Sequence, residues 1–138
     1  MSGQALLKIK DTQWVVDIAN TSWEQSQGLG GLSGLPAGIG MLFDLGYEKT
    51  IEVTTEPMFF SLDIAFLSDN LIITEIYRNI EPGYLVTSQQ PARYFIEVNA
   101  GELEGVASGD YASVEMLSYT EVMQTPDWTI AMTSFIGF

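Results

Sequence analysis

Cysteine and histidine are both missing from the 138 residues. Without Cys there is no disulfide and no thiol nucleophile. Without His the usual general base is gone, and so is the commonest nitrogen ligand for zinc or copper. Ser-His-Asp and Cys-His catalysis are therefore excluded, and a bound metal would have to be a hard cation held through oxygen. Basic residues are scarce as well. Five Lys and Arg stand against eighteen Asp and Glu, a formal net charge of -13. A field of that sign repels phosphate, which argues against nucleic acid and anionic lipid and in favour of cationic partners. No apolar run approaches the roughly 18 residues of a membrane helix. Met1-Ser2-Gly3-Gln4 has neither the basic nor the apolar region of a signal peptide. The expectation is no membrane span, no signal peptide and no cofactor.

What is present is apolar alternation broken by turn residues. Leu7 and Ile9 share one face of a strand over 5–10. After the turn at Asp11-Thr12, Trp14, Val16 and Ile18 alternate with Val15 and Asp17, which predicts a hairpin. Thr21 and Glu24 fit a capping box, so a short helix is expected over 22–29. Six of the thirteen glycines then fall between Gly28 and Gly40, where the chain must turn tightly or approach another backbone closely. A buried strand over 40–45 follows, then a loop at Tyr47-Glu48-Lys49 and a short strand at Ile51 and Val53. Met58 to Leu67 reads as the strongest strand, with Phe60, Leu62, Ile64 and Phe66 on one face. Leu71 to Tyr77 returns as its partner after the Ser68-Asp69-Asn70 turn. Arg78 to Gln90 reads as a polar connection, Tyr94 to Val98 as a strand, 99–106 as a single helical turn, and Tyr111 to Leu117 as the closing strand.

This pattern predicts a mainly β fold: a compact β-sandwich or barrel-like single domain with one or two short helices. The domain spans 1–117, and 118–138 form an apolar tail in which Asp127 is the only charged side chain after Val122. Trp128, Ile130, Phe135, Ile136 and Phe138 are too many large apolar groups to leave in water. They are expected to dock on the chain's own domain or on a protein partner, including a second copy.

Three blocks carry a family resemblance. Glu24, Gly28-Leu29, Leu35-Pro36 and Gly40-Met41-Leu42-Phe43 form the first, and Leu62-Asp63-Ile64-Ala65-Phe66 the second. Tyr94 to Gly101, followed by Gly109-Asp110, form the third. In order and spacing, over about residues 12 to 116, they resemble the DUF192 family of small proteins of unknown function, which implies a mostly β, sandwich-like domain. Two departures stand out. Where the family pattern reads Arg-x-x-Gly-Leu-Met-x-Arg, this chain has Gln25, Gly30 and Leu32 at the Arg, Met and Arg places. Where it reads Trp-Met-Lys-Asn-Thr, the chain has Thr54, Thr55, Glu56, Pro57 and Met58. The resemblance implies a scaffold that is kept and a polar site that has been edited away.

Asp63, Glu97 and Asp44 are the candidate ligand-binding residues, each a lone carboxylate among apolar neighbours. Converging carboxylates could bind a hard cation or a sugar, or do general acid/base work. Paired structural carboxylates and outward-facing strand charges are the simpler alternatives. Asp69-Asn70 and Gly109-Asp110 lack the spacing of a calcium loop, and the glycine stretch has no phosphate-loop Lys. The chain is accordingly expected to be no enzyme and to bind no metal cofactor. It reads as a structural or interaction module of a larger assembly, with a virion surface as one setting. The alternative is a carbohydrate- or hard-cation-binding module built on Asp63 and neighbouring carboxylates.

Overall fold

The alternation of Leu7 and Ile9 with Leu6 and Lys8 becomes strand β1 (Gln4–Ile9), and that of Trp14 and Val16 becomes β2 (Thr12–Ala19). The two form an antiparallel hairpin in which Leu7 faces Trp14. The computed structural model describes residues 3–21, 25 and 28–118. Within them follow β3 (Ile39–Lys49), β4 (Glu52–Thr54), β5 (Leu62–Leu67), β6 (Ile73–Ile80), β7 (Leu85–Thr87), β8 (Ala92–Asn99) and β9 (Ala112–Met116). Seven strands make one mixed sheet in the order β6-β5-β8-β3-β2-β1-β9, and β4 and β7 make a separate two-stranded sheet.

Within the large sheet β2 and β3 run parallel and every other pair is antiparallel. A parallel pair needs a crossover rather than a tight turn, and residues 20–38, with most of the glycine stretch, supply it. At the far ends the sheet bends back on itself. Ile73 N–H donates to Asp110 O at 2.9 Å and Ala112 N–H to Leu71 O at 2.8 Å, with a bridge between Ile72 and Tyr111. These bonds tie the start of β6 to the start of β9, and the expectation of a compact, mainly β single domain holds.

The two faces carry two cores. One gathers Leu7, Ile9, Trp14, Val16, Leu42, Ala65, Leu67, Ile96 and Val98 from the strands, closed over by Leu103 and Val106. The other gathers Val15, Ile39, Met41, Phe43, Ile64, Phe66 and Phe95, and is covered by Leu29 of the crossover, Val53 and Val86 of the small sheet, and Met58. Strands buried on both faces explain the near-continuous apolar runs of β3, β5 and β8.

Four elements differ from the sequence expectation. Tyr47-Glu48-Lys49 belong to β3, because a register shift between Asp44 and Lys49, with Gly46 at φ +88°, absorbs the irregularity and lets the strand run on. Met58 to Ser61 precede β5 instead of starting it. Thr55, fully buried, ties this stretch to the 81–84 turn: its Oγ1 donates to Glu81 O at 2.7 Å and accepts from Tyr84 N–H at 2.9 Å. The 78–90 connection contains the end of β6 and all of β7. Residues 99–106 form successive i to i+3 turns (Glu102 N–H to Asn99 O, Glu104 N–H to Gly101 O, Val106 N–H to Leu103 O) in place of a helical turn. The expected helix over 22–29 and the tail 119–138 lie outside the described residues, apart from Gln25, Gly28 and Leu29.

Candidate functional site

Asp44, near the bend of β3, is bound on one side by Arg93, whose Nε donates to Oδ1 at 2.9 Å and whose Nη2 donates to Oδ2 at 3.1 Å. Gly46 N–H adds a third bond at 2.8 Å. Partial burial pushes the Asp44 pKa up, but the Arg93 and Gly46 contacts outweigh it and the net shift is downward. Asp44 is a paired carboxylate at a strand bulge.

Asp63 is completely buried in β5. Its Oδ1 accepts from Asn79 N–H at 2.8 Å, and its Oδ2 accepts from Gly101 N–H at 2.9 Å and Leu103 N–H at 3.0 Å. Three backbone N–H donors thus satisfy both oxygens of the buried side chain. Here they fasten the 99–106 turns and the end of β6 to β5. Arg78 completes the fastening, its Nη2 donating to the carbonyls of Leu103 and Val106. A shallow cavity of about 300 Å³ lies beside them, lined by Asp63, Arg78, Asn79, Ala100, Gly101 and Glu104.

Glu97 is different. It lies in β8 between Met41 of β3 and Ile64 of β5, on the face opposite the one Asp63 shares with Val98. The three sequence candidates therefore do not meet, and among the described residues there is no group of three or more carboxylates able to hold a metal. Glu97 is 5% exposed. Burial is the cause that lifts its pKa, to about 8, with no hydrogen bond or neighbouring charge offsetting it. Near neutral pH its carboxyl is mainly the uncharged acid, able to donate one hydrogen bond and accept others.

That carboxyl lines a cavity of about 320 Å³. The floor is Phe43, Phe95 and Glu97 of the sheet; the two rings stack with centroids 4.1 Å apart and planes 8° from parallel. One wall is the crossover, where Gly28, Leu29 and Gly30 pass over Phe43. A Cβ on Gly28 would lie 3.4 Å from the Phe43 ring, and its φ of +46° is itself costly for other residues. The opposite wall is Val53 and Thr54 of β4 with Pro57 and Met58 beyond it, and Glu52 also reaches the lining from its exposed strand position. Gln25 lines the cavity while its Nε2 donates to Asp44 O at 2.8 Å, tying the crossover to β3. A largely apolar cleft with a few convergent polar groups is the usual form of a small-molecule site.

Gln25, Gly30, Thr54, Pro57 and Met58, at which the sequence departs from the family pattern, all line this cavity. On sequence the replaced positions marked a site edited away; in the structure they surround an open cavity that retains a carboxyl. The sequence reading did not connect Glu97 with the glycine stretch. The signal that could have done so is Gly40 pairing beside a strand with an inward carboxylate, which only the sheet register reveals. Trp128, Ile130, Phe135, Ile136 and Phe138 lie outside the described residues.

Comparison with known proteins agrees with this architecture. The family model DUF192, described as an uncharacterized ACR, matches residues 5–114. Among solved structures, the chain is similar to a crystal structure from Sinorhizobium meliloti 1021, assigned provisionally as a transcription regulator. The TM-score is 0.75 and the identity 25%, covering 83% of this chain and 96% of that one. It is also similar to a protein of unknown function from Novosphingobium aromaticivorans DSM 12444, with a TM-score of 0.71 and 22% identity over 80% and 83% of the two chains. No curated protein matches at a significant level.

Proposed function

The chain belongs to the DUF192 family, and we propose that it is a non-catalytic binding domain whose site is the cavity at Glu97. The observation that supports this reading is Glu97, a residue only 5% exposed, lining a largely apolar cavity with no hydrogen-bonding partner for its carboxyl among the described residues. Burying a polar group without a partner costs roughly 1–3 kcal/mol on the scale of protein mutational data. A bound ligand that hydrogen-bonds Glu97 would recover that cost. A catalytic role has less support, because the chain lacks His and Cys and the three candidate carboxylates stand apart. The provisional regulator assignment of the Sinorhizobium relative does not extend to direct DNA contact here, since a net charge of -13 opposes a phosphate backbone.

Crystals soaked in a fragment collection test the proposal. Density in the cavity, with a polar ligand atom at hydrogen-bond distance from Glu97, supports it. Fragments that occupy other surfaces and leave this cavity empty count against it.

A second reading is favoured by the sequence of the tail. With Asp127 as the only charged side chain after Val122, Trp128, Ile130, Phe135, Ile136 and Phe138 form an apolar segment suited to a protein surface or a second copy. Light scattering of the full chain against residues 1–117 decides it. Loss of an oligomer on truncation supports the assembly role, and identical monomers remove it. The reading does not depend on a virion setting.

A further inference from the structure

We infer that the Glu97 cavity selects small organic cations, an ammonium group on a compact apolar or aromatic body. The inference rests on the cavity being the binding site and adds the charge and shape of the occupant. Three observations carry it.

First, every ionisable group lining the cavity is acidic. Glu97 lies in the floor and Glu52 contributes from β4, while neither Lys nor Arg lines it. On the same face Asp17, the register partner of Met41, which in turn pairs with Glu97, adds a carboxyl two strands away. An anion entering would find no basic group among the lining residues, in a space of low dielectric where charges act strongly. A cation would meet attraction, reinforced by the chain's overall field.

Second, the walls suit an apolar body. Phe43 and Phe95 offer stacked rings, flanked by Leu29, Val53 and Met58. Aromatic faces also attract cations. At about 320 Å³ the space sits at the small end of ligand sites, which limits the occupant to a single compact group.

Third, Glu97 can convert. Burial holds it protonated near neutrality, and an ammonium ion placed against it supplies the missing counter-charge. The exchange balances as Glu97–COOH plus R–NH3+ giving Glu97–COO− paired with R–NH3+, with one proton leaving to the buffer. No covalent bond to the ligand changes.

Titration calorimetry on the full chain tests this with three probes of similar size: 2-phenylethylamine, 2-phenylethanol and phenylacetate. Binding of the amine at least about tenfold tighter than the alcohol, with no binding of phenylacetate, is the expected result. Repeating the amine titration at pH 7 in phosphate and in Tris should show close to one proton released per molecule bound. Glu97→Gln should abolish that release and weaken the amine at least about tenfold while changing the alcohol little. The exposed Glu52→Gln should weaken the amine about two- to threefold, as a solvent-screened charge would. It keeps the test decisive if the Glu97 variant fails to fold.

Equal binding of alcohol and amine overturns cation selectivity but leaves the cavity as a site. Binding of phenylacetate as tight as the amine, amine binding without proton release, or amine affinity unchanged in both variants also overturns it. Absence of heat from all three probes removes the cavity reading together with the selectivity.

Discussion

Asp17 and Glu97 flank Met41 on one face of the sheet, Asp17 as its partner across the parallel pair and Glu97 across the antiparallel one. Two buried carboxylates thus stand two strands apart, roughly 10 Å at ordinary strand spacing. They lie on the face that the crossover and the small sheet cover. Glu97 makes the stability of the domain depend on pH. Its folded pKa is about 8, raised from the ordinary 4.5 by burial. The folded state therefore binds the proton more tightly than the unfolded state. Glu97's contribution is fully present below about pH 4.5 and is lost as pH rises towards 8, at up to about 1.4 kcal/mol per pH unit. Denaturant unfolding at pH 5, 6, 7 and 8 should show a decline that Glu97→Gln flattens. A wild-type profile that is flat or rises in step with the variant contradicts the burial of an uncompensated carboxyl.

Gly40 rests against Glu97 from the neighbouring strand. A Cβ at position 40 would lie 2.6 Å from Glu97 O and 2.8 Å from Val98 Cγ1. Backbone cannot yield as a flexible side chain does, so Gly40→Val should cost on the order of 1–3 kcal/mol or more. Thermal melting should fall by several degrees. Because neither Gly40 nor Val98 lines the cavity, ligand affinity should fall only in proportion to the unfolded fraction. A variant as stable as the parent would show that β3 and β8 do not approach this closely.

Asp63→Asn should damage the fold and spare the cavity. The amide cannot accept from Asn79, Gly101 and Leu103 with two oxygens as the carboxylate does. The expected loss is about 1–3 kcal/mol, with faster hydrogen exchange at Gly101 and Leu103. Unchanged exchange at those amides, or selective loss of ligand binding at full stability, would mean that Asp63 serves the site rather than the scaffold.

Glu102→Ala should loosen the crossover. Glu102 Oε1 accepts from Trp14 Nε1 at 2.7 Å, and Oε2 accepts from Gly38 N–H at 3.3 Å, so one side chain pins both β2 and the end of the crossover. Removing it orphans a donor on a fully buried Trp, at a cost of roughly 1–3 kcal/mol. Exchange at Gly38 should quicken, and an unaltered rate there would sink the assignment.

Much of the fold is legible because two-residue alternation, as in Trp14-Val16 or Phe60 to Phe66, reports which residues face a core. It is silent about β7, whose three residues carry too little pattern, and about Tyr47 to Lys49, where polar residues continue a strand beyond a bulge. The site is less legible than the fold. Asp63, Glu97 and Asp44 look alike in sequence, each a carboxylate among apolar neighbours. Their fates separate only when the register puts Asp63 beside three N–H donors, Asp44 beside Arg93, and Glu97 over a cavity. Thr55 and Glu102 give no sequence signal at all, since their partners lie 26 and 88 residues away.

The most direct measurement is an amide-resolved 1H–15N NMR titration of the full chain with 2-phenylethylamine. The account predicts shift changes concentrated at Gly28, Leu29, Val53, Met58 and Glu97, with Ala100 and Gly101 beside Asp63 undisturbed. Changes centred on Ala100 and Gly101, or none at the Glu97 cavity at millimolar probe, would contradict it.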